Sequence, residues 1–343
     1  MSRPLWLVEF LKRVYPARFM VAQATRLPIL GKWLGRFFFD GDNMVYLPRD
    51  AVVQASQSKV AQVEHDAVAE VAHGAVAQVA HGEAVQAMHG VQAQAPHGAA
   101  VRVSRGNGTQ AGSNGASKVR TVEVRQFFEL PEDVVLPSQV VDHFIDQASD
   151  LWIMNACLCR QSEGCEDYPI DIGCLFMGRA VREINPALGR LVTRQEAKAH
   201  VRRAREAGLV HLIGRNKLDS MWLGAGPGDQ LLTVCNCCPC CCLFGVLPHL
   251  DELWSDKITR MPGVQVQVTD RCVGCGACTR DVCFVDAIQM VESEDQTVRA
   301  QIGEVCVGCG RCVDVCPQHA IELLCAEGVE QAIARISPSI DVT

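Results

Sequence analysis

The sequence has no cysteine before Cys157, although the 343-residue chain contains 19 of them. Aromatic residues are also scarce, at 6%. Small secreted domains held by disulfides are shorter and spread their cysteines along the chain, so this class is excluded. Apolar residues reach 48%, which is enough for a sizeable core. We therefore predict a globular protein with metal or redox chemistry in a reducing, cytoplasmic compartment.

No secretory signal or membrane span is predicted. Glu9, Lys12 and Arg13 interrupt the apolar N-terminus, which disfavours a signal peptide. Residues 231–250 carry no charged side chain, but they contain six cysteines and two prolines. A membrane-spanning helix would tolerate that content poorly. We interpret this stretch as a buried ligand loop.

Motifs for nucleotide binding are missing as well. The sequence has neither a phosphate loop of the Walker type nor a C-x-x-C-H haem motif. The glycines of residues 224–228 enclose a proline and lack the spacing of a dinucleotide-binding turn, so they are interpreted as a loop. No nucleotide cofactor is expected. The net charge of −7 disfavours nucleic acid as the main partner.

The chain divides into four predicted segments, and the fold class is predicted as α+β. They are a basic and aromatic arm (1–50), a low-complexity linker (51–118), a cysteine-rich α+β domain (119–262) and a second folded domain (263–343). The arm suits two interpretations. It either makes peripheral contact with an anionic membrane or docks on the protein's own core, and the second is favoured.

The linker contains an eight-residue repeat. Its histidines are His65, His73, His81, His89 and His97. Eight residues rotate a helix by about 80°, so these side chains would spiral rather than share a face. The tract is either a histidine-rich metal store or a disordered, repeat-expanded linker, and its composition favours disorder.

Residues 119–262 contain two predicted helices and two predicted strands. One helix runs from Ser138 toward Asn155, and the other begins at the capping box formed by Thr193 and Glu196. The strands are predicted over residues 209–213 and 231–234. A helix followed by two strands around a polar turn is compatible with a winged-helix-like unit.

Two cysteine combs dominate residues 263–343. The first consists of Cys272, Cys275, Cys278 and Cys283, and the second of Cys306, Cys309, Cys312 and Cys316. Three cysteines at two-residue gaps let one loop bring three soft thiolates to one small body, as an iron–sulfur cluster requires. The intervening glycines allow left-handed turns that aim backbone amides at the sulfurs. Zinc suits any single C-x-x-C, but the repeated pattern favours clusters.

The combs resemble those of bacterial two-[4Fe–4S] ferredoxins, in which the last cysteine of each comb binds the other comb's cluster. The resemblance implies two [4Fe–4S] clusters. It implies that Cys272, Cys275, Cys278 and Cys316 bind cluster A, and that Cys306, Cys309, Cys312 and Cys283 bind cluster B. The first comb departs from the pattern, because four residues rather than three precede Cys283 and Phe284 replaces the usual proline.

Ten further cysteines lie upstream in two patches. They are Cys157, Cys159, Cys165 and Cys174, then Cys235, Cys237, Cys238, Cys240, Cys241 and Cys242. Three alternatives stay open: one or more additional [4Fe–4S] clusters, zinc, or buried structural cysteines, of which the first is favoured. Adjacent cysteines project in different directions, so the second patch cannot serve one cubane with all its thiols. Cys325 stands alone and is predicted to be core.

The whole chain is also similar to an uncharacterised prokaryotic family that joins a cysteine-rich region to a C-terminal dicluster ferredoxin domain. This similarity rests on residues 168–177, 208–216 and 235–242. It implies no reaction.

Three functions are compatible with these patterns, and an electron carrier is favoured over a stand-alone enzyme. The favoured protein relays single electrons, and its acidic ferredoxin domain steers it toward redox partners with basic docking faces. The second alternative is a redox enzyme whose upstream cysteine site is catalytic and is fed by the C-terminal clusters; no catalytic residue is predicted. The third is a redox-sensing DNA-binding protein. Its basic helix face would consist of Arg194, Lys198, Arg202 and Arg205.

Overall fold

The computed structural model describes residues 3–53, 101–104, 121–124, 136–292, 296–325 and 328–343. Residues 1–56 and 135–343 form one compact unit, and residues 57–134 form a second. The five repeat histidines lie outside the described residues. Among the described residues, no helix is long and apolar enough to cross a membrane.

The helices of the described residues are short. They are α1 (Leu5–Val14), α2 (Arg18–Ala24), α3 (Leu30–Phe39), α4 (Ser138–Gln147), α5 (Leu158–Glu163), α6 (Arg194–Glu206), α7 (Lys217–Leu223), α8 (Glu252–Ser255), α9 (Arg311–Asp314) and α10 (Gly328–Ile336).

The strands are similarly short. They are β1 (Asn43–Tyr46), β2 (Val101–Ser104), β3 (Thr121–Val124), β4 (Leu151–Met154), β5 (Leu175–Met177), β6 (Gly189–Leu191), β7 (Val210–Arg215), β8 (Leu232–Cys237), β9 (Ile258–Arg260), β10 (Val264–Val268), β11 (Ile288–Glu292), β12 (Val298–Ile302) and β13 (Ile321–Cys325). In the second unit, β2 and β3 pair antiparallel.

A seven-stranded sheet organises the first unit, in the order β6-β4-β5-β8-β7-β1-β9. Its pairs are antiparallel except β1 with β9, which are parallel. The N-terminal residues therefore contribute an interior strand. Residues 263–343 add two separate antiparallel pairs, β10 with β13 and β11 with β12.

The two faces of the sheet bury different cores, because successive side chains of a strand point to opposite faces. Val45, Ile213 and Val234 pack with helices α4, α6 and α10. Their strand neighbours Tyr46 and Leu212 pack on the other face, together with Cys237 and Cys242. The alternation thus delivers the β8 cysteines to the face opposite these three helices.

The α+β class is confirmed, but two local predictions differ from the structure. The helix predicted to begin at Ser138, α4, ends at Gln147 rather than near Asn155. Ala148 is extended, and the residues that follow form β4, which pairs with β5. The predicted winged-helix strands are β7 and β8, which lie inside the large sheet rather than in a free wing. A helix, α7, occupies the connection that was expected to be a polar turn.

The capping box at the start of α6 is confirmed. The Glu196 amide donates to the Thr193 hydroxyl at 3.2 Å, and the Thr193 amide donates to the Glu196 carboxylate at 2.8 Å. These two bonds satisfy backbone donors that a helix N-terminus otherwise leaves unpaired.

Removing this cap should destabilise the protein. We expect Thr193→Ala to lower the free energy of unfolding by about 1 kcal/mol, because the Glu196 amide loses its acceptor. Urea denaturation followed by circular dichroism measures this change. Thr193→Ser keeps the hydroxyl and is the matched control; equal losses in both variants would contradict the role of the cap.

Candidate iron–sulfur and metal sites

The four cysteines predicted for cluster A line one small pocket. They are Cys272, Cys275, Cys278 and Cys316. The Ala300 amide donates to the Cys272 sulfur at 3.4 Å, and the Ala320 amide donates to the Cys316 sulfur at 3.3 Å. Amide donors of this kind stabilise thiolates, so the pocket has the charge compensation that a cluster needs.

The four cysteines predicted for cluster B also converge. The pKa of Cys312 is raised by burial and then by the nearby charges of Cys309, Cys306 and Cys283. The Ala287 amide donates to the Cys283 sulfur at 3.2 Å. The Gly308 amide does the same for Cys306 at 3.4 Å. The donor set and its amides fit an iron–sulfur cluster, and the individual ligand assignments stay predictions.

The extra residue between Cys278 and Cys283 in the first comb changes only the local backbone. Asp281, within the longer Cys278–Cys283 loop, adopts a left-handed conformation with φ of 54°. Asp286 and His319 then occupy equivalent left-handed positions, with φ of 52° and 47°, three residues after Cys283 and Cys316. Non-glycine residues adopt this region infrequently, so its repetition shows that both final-cysteine turns have one geometry. In each turn the next amide points at the cysteine sulfur.

The ten upstream cysteines separate into two groups. Six of them, which we call the cavity cysteines, line a cavity of about 310 Å³: Cys157, Cys159, Cys174, Cys235, Cys237 and Cys242. The other four, which we call the four-thiol group, are Cys165, Cys238, Cys240 and Cys241. Cys238 also reaches the cavity wall.

The strand pairing explains how the cavity cysteines meet. Leu175 of β5 pairs with Val234 of β8, so Cys174 and Cys235 come together at the adjoining positions. The thiols of Cys174 and Cys235, of Cys235 and Cys237, and of Cys237 and Cys242 lie near enough to shift one another's pKa. Cys157, the residue before α5, and Cys159, in its first turn, shift one another's pKa in the same way.

Buried arginines supply positive charge to these thiols. Arg160 is fully buried, and its guanidinium donates to the Asn236 carbonyl at 2.7 Å and to the Ile172 carbonyl. The hydrogen bond from the Cys159 thiol, aided by the Arg160 charge, outweighs burial and lowers the pKa of Cys157 to about 7. Among the described residues no carboxylate forms an ion pair with Arg160, and the ionisable groups beside its guanidinium are the cysteines Cys157, Cys174 and Cys238.

Four side chains connect the cluster B cysteines to the cavity, and we call them the junction: Tyr46, Phe244, Phe284 and Arg311. The Tyr46 ring lies 5.6 Å from that of Phe284, next to Cys283, and 6.4 Å from that of Phe244, two residues after Cys242. Arg311, between Cys309 and Cys312, is buried and donates to the Cys237 carbonyl at 2.5 Å.

Tyr46 lies between the two thiol sets. Burial raises its pKa well above the usual range, and the charges of Cys242, Cys237 and Cys309 raise it further. Tyr46 is therefore protonated. Its buried hydroxyl finds no hydrogen-bond partner among the described residues. Buried hydroxyls are almost always paired, so this orphaned donor indicates that a further acceptor belongs nearby.

The basic face of α6 is largely engaged inside the fold. Arg194 donates to the carbonyls of Asp146 and Ala148, Lys198 forms an ion pair with Asp146 at 2.7 Å, and Arg205 approaches Asp50 at 3.4 Å. These contacts favour a structural role for the face over DNA phosphate binding.

Comparison with known proteins places one domain. Residues 255–321 match the family model of the 4Fe-4S dicluster domain. This range includes all eight comb cysteines, so the C-terminal region is a two-cluster ferredoxin-type domain and the protein is an iron–sulfur protein. No curated protein and no solved structure matches the chain significantly.

Sequence reasoning did not identify the junction or the buried arginines. Tyr46 belongs to the segment predicted as an arm. Two signals were available: Phe284 stands where ferredoxins have proline, and Arg311 stands where the first comb has Ala277. Both substitutions put large side chains toward the upstream cysteines.

Cys283 is the least regular of the predicted cluster ligands, and its role can be tested. We expect Cys283→Ser to lose about half of the iron bound by the ferredoxin-type domain, because one of two four-iron clusters loses a thiolate. Iron analysis of anaerobically purified protein, with EPR after reduction, measures the loss. Cys325→Ser is the matched control, since Cys325 lies in β13 away from both combs. Full iron in the Cys283 variant would refute the assignment.

Proposed function

We propose that the protein is an electron carrier that passes single electrons through clusters A and B to a further iron–sulfur centre at the cavity cysteines. The observation that carries the proposal is the junction, which puts the cluster B ligand loop in direct contact with the cavity wall. When bound, such clusters supply one-electron redox chemistry. The protein's own residues hold, insulate and electrostatically couple the sites.

The cavity has the chemistry of a cluster site. Its six thiols exceed the four that a cubane needs, and its volume of about 310 Å³ exceeds the space that one ion requires. Apolar side chains of α1 and α2 close one side, including Leu11 and Val21. Tyr15 is anchored there, because its hydroxyl donates to the Cys241 carbonyl at 2.8 Å. Such a wall limits water access, which influences the potential of a bound cluster.

The junction supports transfer between the two centres. Arg311 belongs to the cluster B loop, yet its guanidinium contacts the backbone of a cavity cysteine. Its positive charge contributes to lowering the pKa of Cys237, after the hydrogen bonds from Cys235 and Cys242. In a low-dielectric interior such a charge stabilises thiolates on both sides. The Tyr46 hydroxyl is available to donate to a sulfur of either centre.

Iron content tests this proposal. We expect about 12 Fe per chain, from three four-iron clusters, in anaerobically purified protein. The double variant Cys174→Ser/Cys235→Ser should fall to about 8 Fe by the same arithmetic, with both ferredoxin-domain EPR signals intact. About 8 Fe in the unmodified protein would refute the cavity centre and leave a two-cluster carrier.

The surplus of thiols favours a second candidate, a redox enzyme whose cavity centre is catalytic. Six cavity cysteines leave two beyond a cubane's needs. A change in the EPR signal of the cavity centre on adding candidate substrates would support this function. A fully ligated centre whose EPR signal does not change on adding substrates would favour the electron carrier over the enzyme.

We further propose that the N-terminal helices touch an anionic membrane surface with the side that faces away from the core. Val8, Tyr15 and Phe39 are buried against the protein. The outer side of α1 exposes Trp6 and Phe10, at helical spacing. The outer side of α3 exposes Leu30, Trp33 and Phe37, flanked by the exposed cations Lys32 and Arg36. Apolar side chains beside cations suit interfacial binding.

Vesicle co-sedimentation tests this surface. We expect the protein to bind vesicles of mixed neutral and anionic lipid, and Trp33→Ser/Phe37→Ser to reduce the bound fraction several-fold, because stacked exposed rings are lost. Leu191→Ser, a change at an exposed apolar residue of β6, is the control. Equal binding by all three proteins would contradict the proposal.

A further inference from the structure

We propose that the four-thiol group is a separate site for a single zinc ion, distinct from the cavity centre. The proposal goes beyond the electron-carrier function, because the ion would be redox-inert and structural. Its ligands are Cys165, from the loop after α5, and three cysteines that follow β8: Cys238, Cys240 and Cys241.

The spacing of the sulfurs fits one ion. All four sulfur atoms lie within 4.8 Å of one another, with Cys165 and Cys240 at 3.6 Å and Cys240 and Cys241 at 3.5 Å. Tetrahedral zinc with Zn–S bonds of about 2.3 Å puts its sulfurs about 3.8 Å apart. A cubane binds each thiolate through a different iron, so its ligands form a wider tetrahedron. The group is therefore too tight for a cluster and suits a single centre.

The local backbone prepares these sulfurs to act as thiolates. The Cys241 amide donates to the Cys238 sulfur at 3.3 Å. The turn that presents Cys165 is fixed by left-handed Gly164, where the Cys165 amide donates to the Arg160 carbonyl at 2.9 Å. Donors pointing at the sulfurs are a usual feature around metal-bound thiolates.

A neighbouring buried cation partly offsets the negative charge of the site. Four thiolates around a divalent ion carry two net negative charges. The buried guanidinium of Arg160 lies near Cys157, Cys238 and Cys174. One arginine therefore serves the four-thiol group and the cavity cysteines together. A buried cation with this placement needs permanent negative charge beside it, which a metal–thiolate site provides.

The position of the site explains what such an ion would do. Cys165 lies on the connection that joins α5 to β5, and α5 and β5 carry or adjoin the cavity ligands Cys157, Cys159 and Cys174. The other three ligands follow β8, whose cysteines form the facing wall. One ion would thus tie the two walls of the cavity together. Four protein thiolates leave it no open position, as in structural zinc sites.

Separate zinc and iron analyses of the full chain, purified anaerobically, test the site. We expect about one zinc per chain, and X-ray absorption at the zinc edge should show four sulfur neighbours at about 2.3 Å. Cys240→Ser should lose the zinc while keeping the cluster EPR signals, because Cys240 is exposed and absent from the cavity wall. Cys325→Ser, a change at a solitary cysteine, is the control.

A second measurement uses only the unmodified protein, so it does not depend on whether the Cys240 variant folds. Cobalt(II) supplied in place of zinc during expression should give the intense thiolate-to-cobalt absorption of a four-sulfur site in the unmodified chain. Unmodified protein without zinc, or zinc bound by oxygen and nitrogen, would overturn the proposal. Loss of iron from Cys240→Ser, with no zinc to lose, would do the same. The iron count of the unmodified chain separately decides the cavity centre, so the two proposals fail independently.

Discussion

The close approach of many thiols is the constraint on which the rest of the structure depends. Thiolates repel one another, and burial makes their charge costlier still, so eighteen of them cannot gather without compensation. The ferredoxin-type domain compensates with backbone amides that point at Cys272, Cys283, Cys306 and Cys316. The upstream region contains a fully buried arginine, Arg160, and is contacted by Arg311 of the second comb. The different solutions reflect glycine-rich loops in one region and β-strands in the other, since strand amides are already used by the sheet.

The large sheet brings cysteines that are distant in the sequence together in one wall of the cavity. Cys174 and Cys235 are far apart along the chain, yet the β5–β8 pairing makes them neighbours. The same pleat sends Val234 to the helical core and Cys235 to the cavity, so a one-residue slip of β8 would exchange sulfur for valine. Register is fixed here by the apolar side chains of β7 and β8 on the opposite face. A well-packed core on the opposite face thus holds the ligand positions in register.

The dicluster domain and the capping box could be predicted from the sequence, because both depend on local patterns. Each comb is recognisable because three cysteines and their glycines are close together in the sequence. The capping box at Thr193 is recognisable because its two residues are three positions apart. The division of the upstream cysteines into two groups could not be predicted, because it depends on where β8 ends and on the turn at Pro239. The position of Tyr46 between the two sets of cysteines could not be predicted either, because β1 pairs with β7 and β9, which lie more than 150 residues away in the sequence. Short apolar segments such as residues 43–47 give no periodic signal that would name their partners.

The shared charges make the sites interdependent. Arg160 lies near thiols of both upstream groups, and Arg311 belongs to the second comb while it contacts the backbone of a cavity cysteine. In a medium of low dielectric, a change of charge at one centre alters the energy of charge at its neighbour, and a fixed cation between them reduces that penalty. Arg311 contacts Cys237 by its position in the comb itself, so any shift of the cluster B loop moves this cation relative to the cavity. The placement couples the geometry of the ferredoxin-type domain to the electrostatics of the upstream site, which a tethered but non-contacting domain would not do.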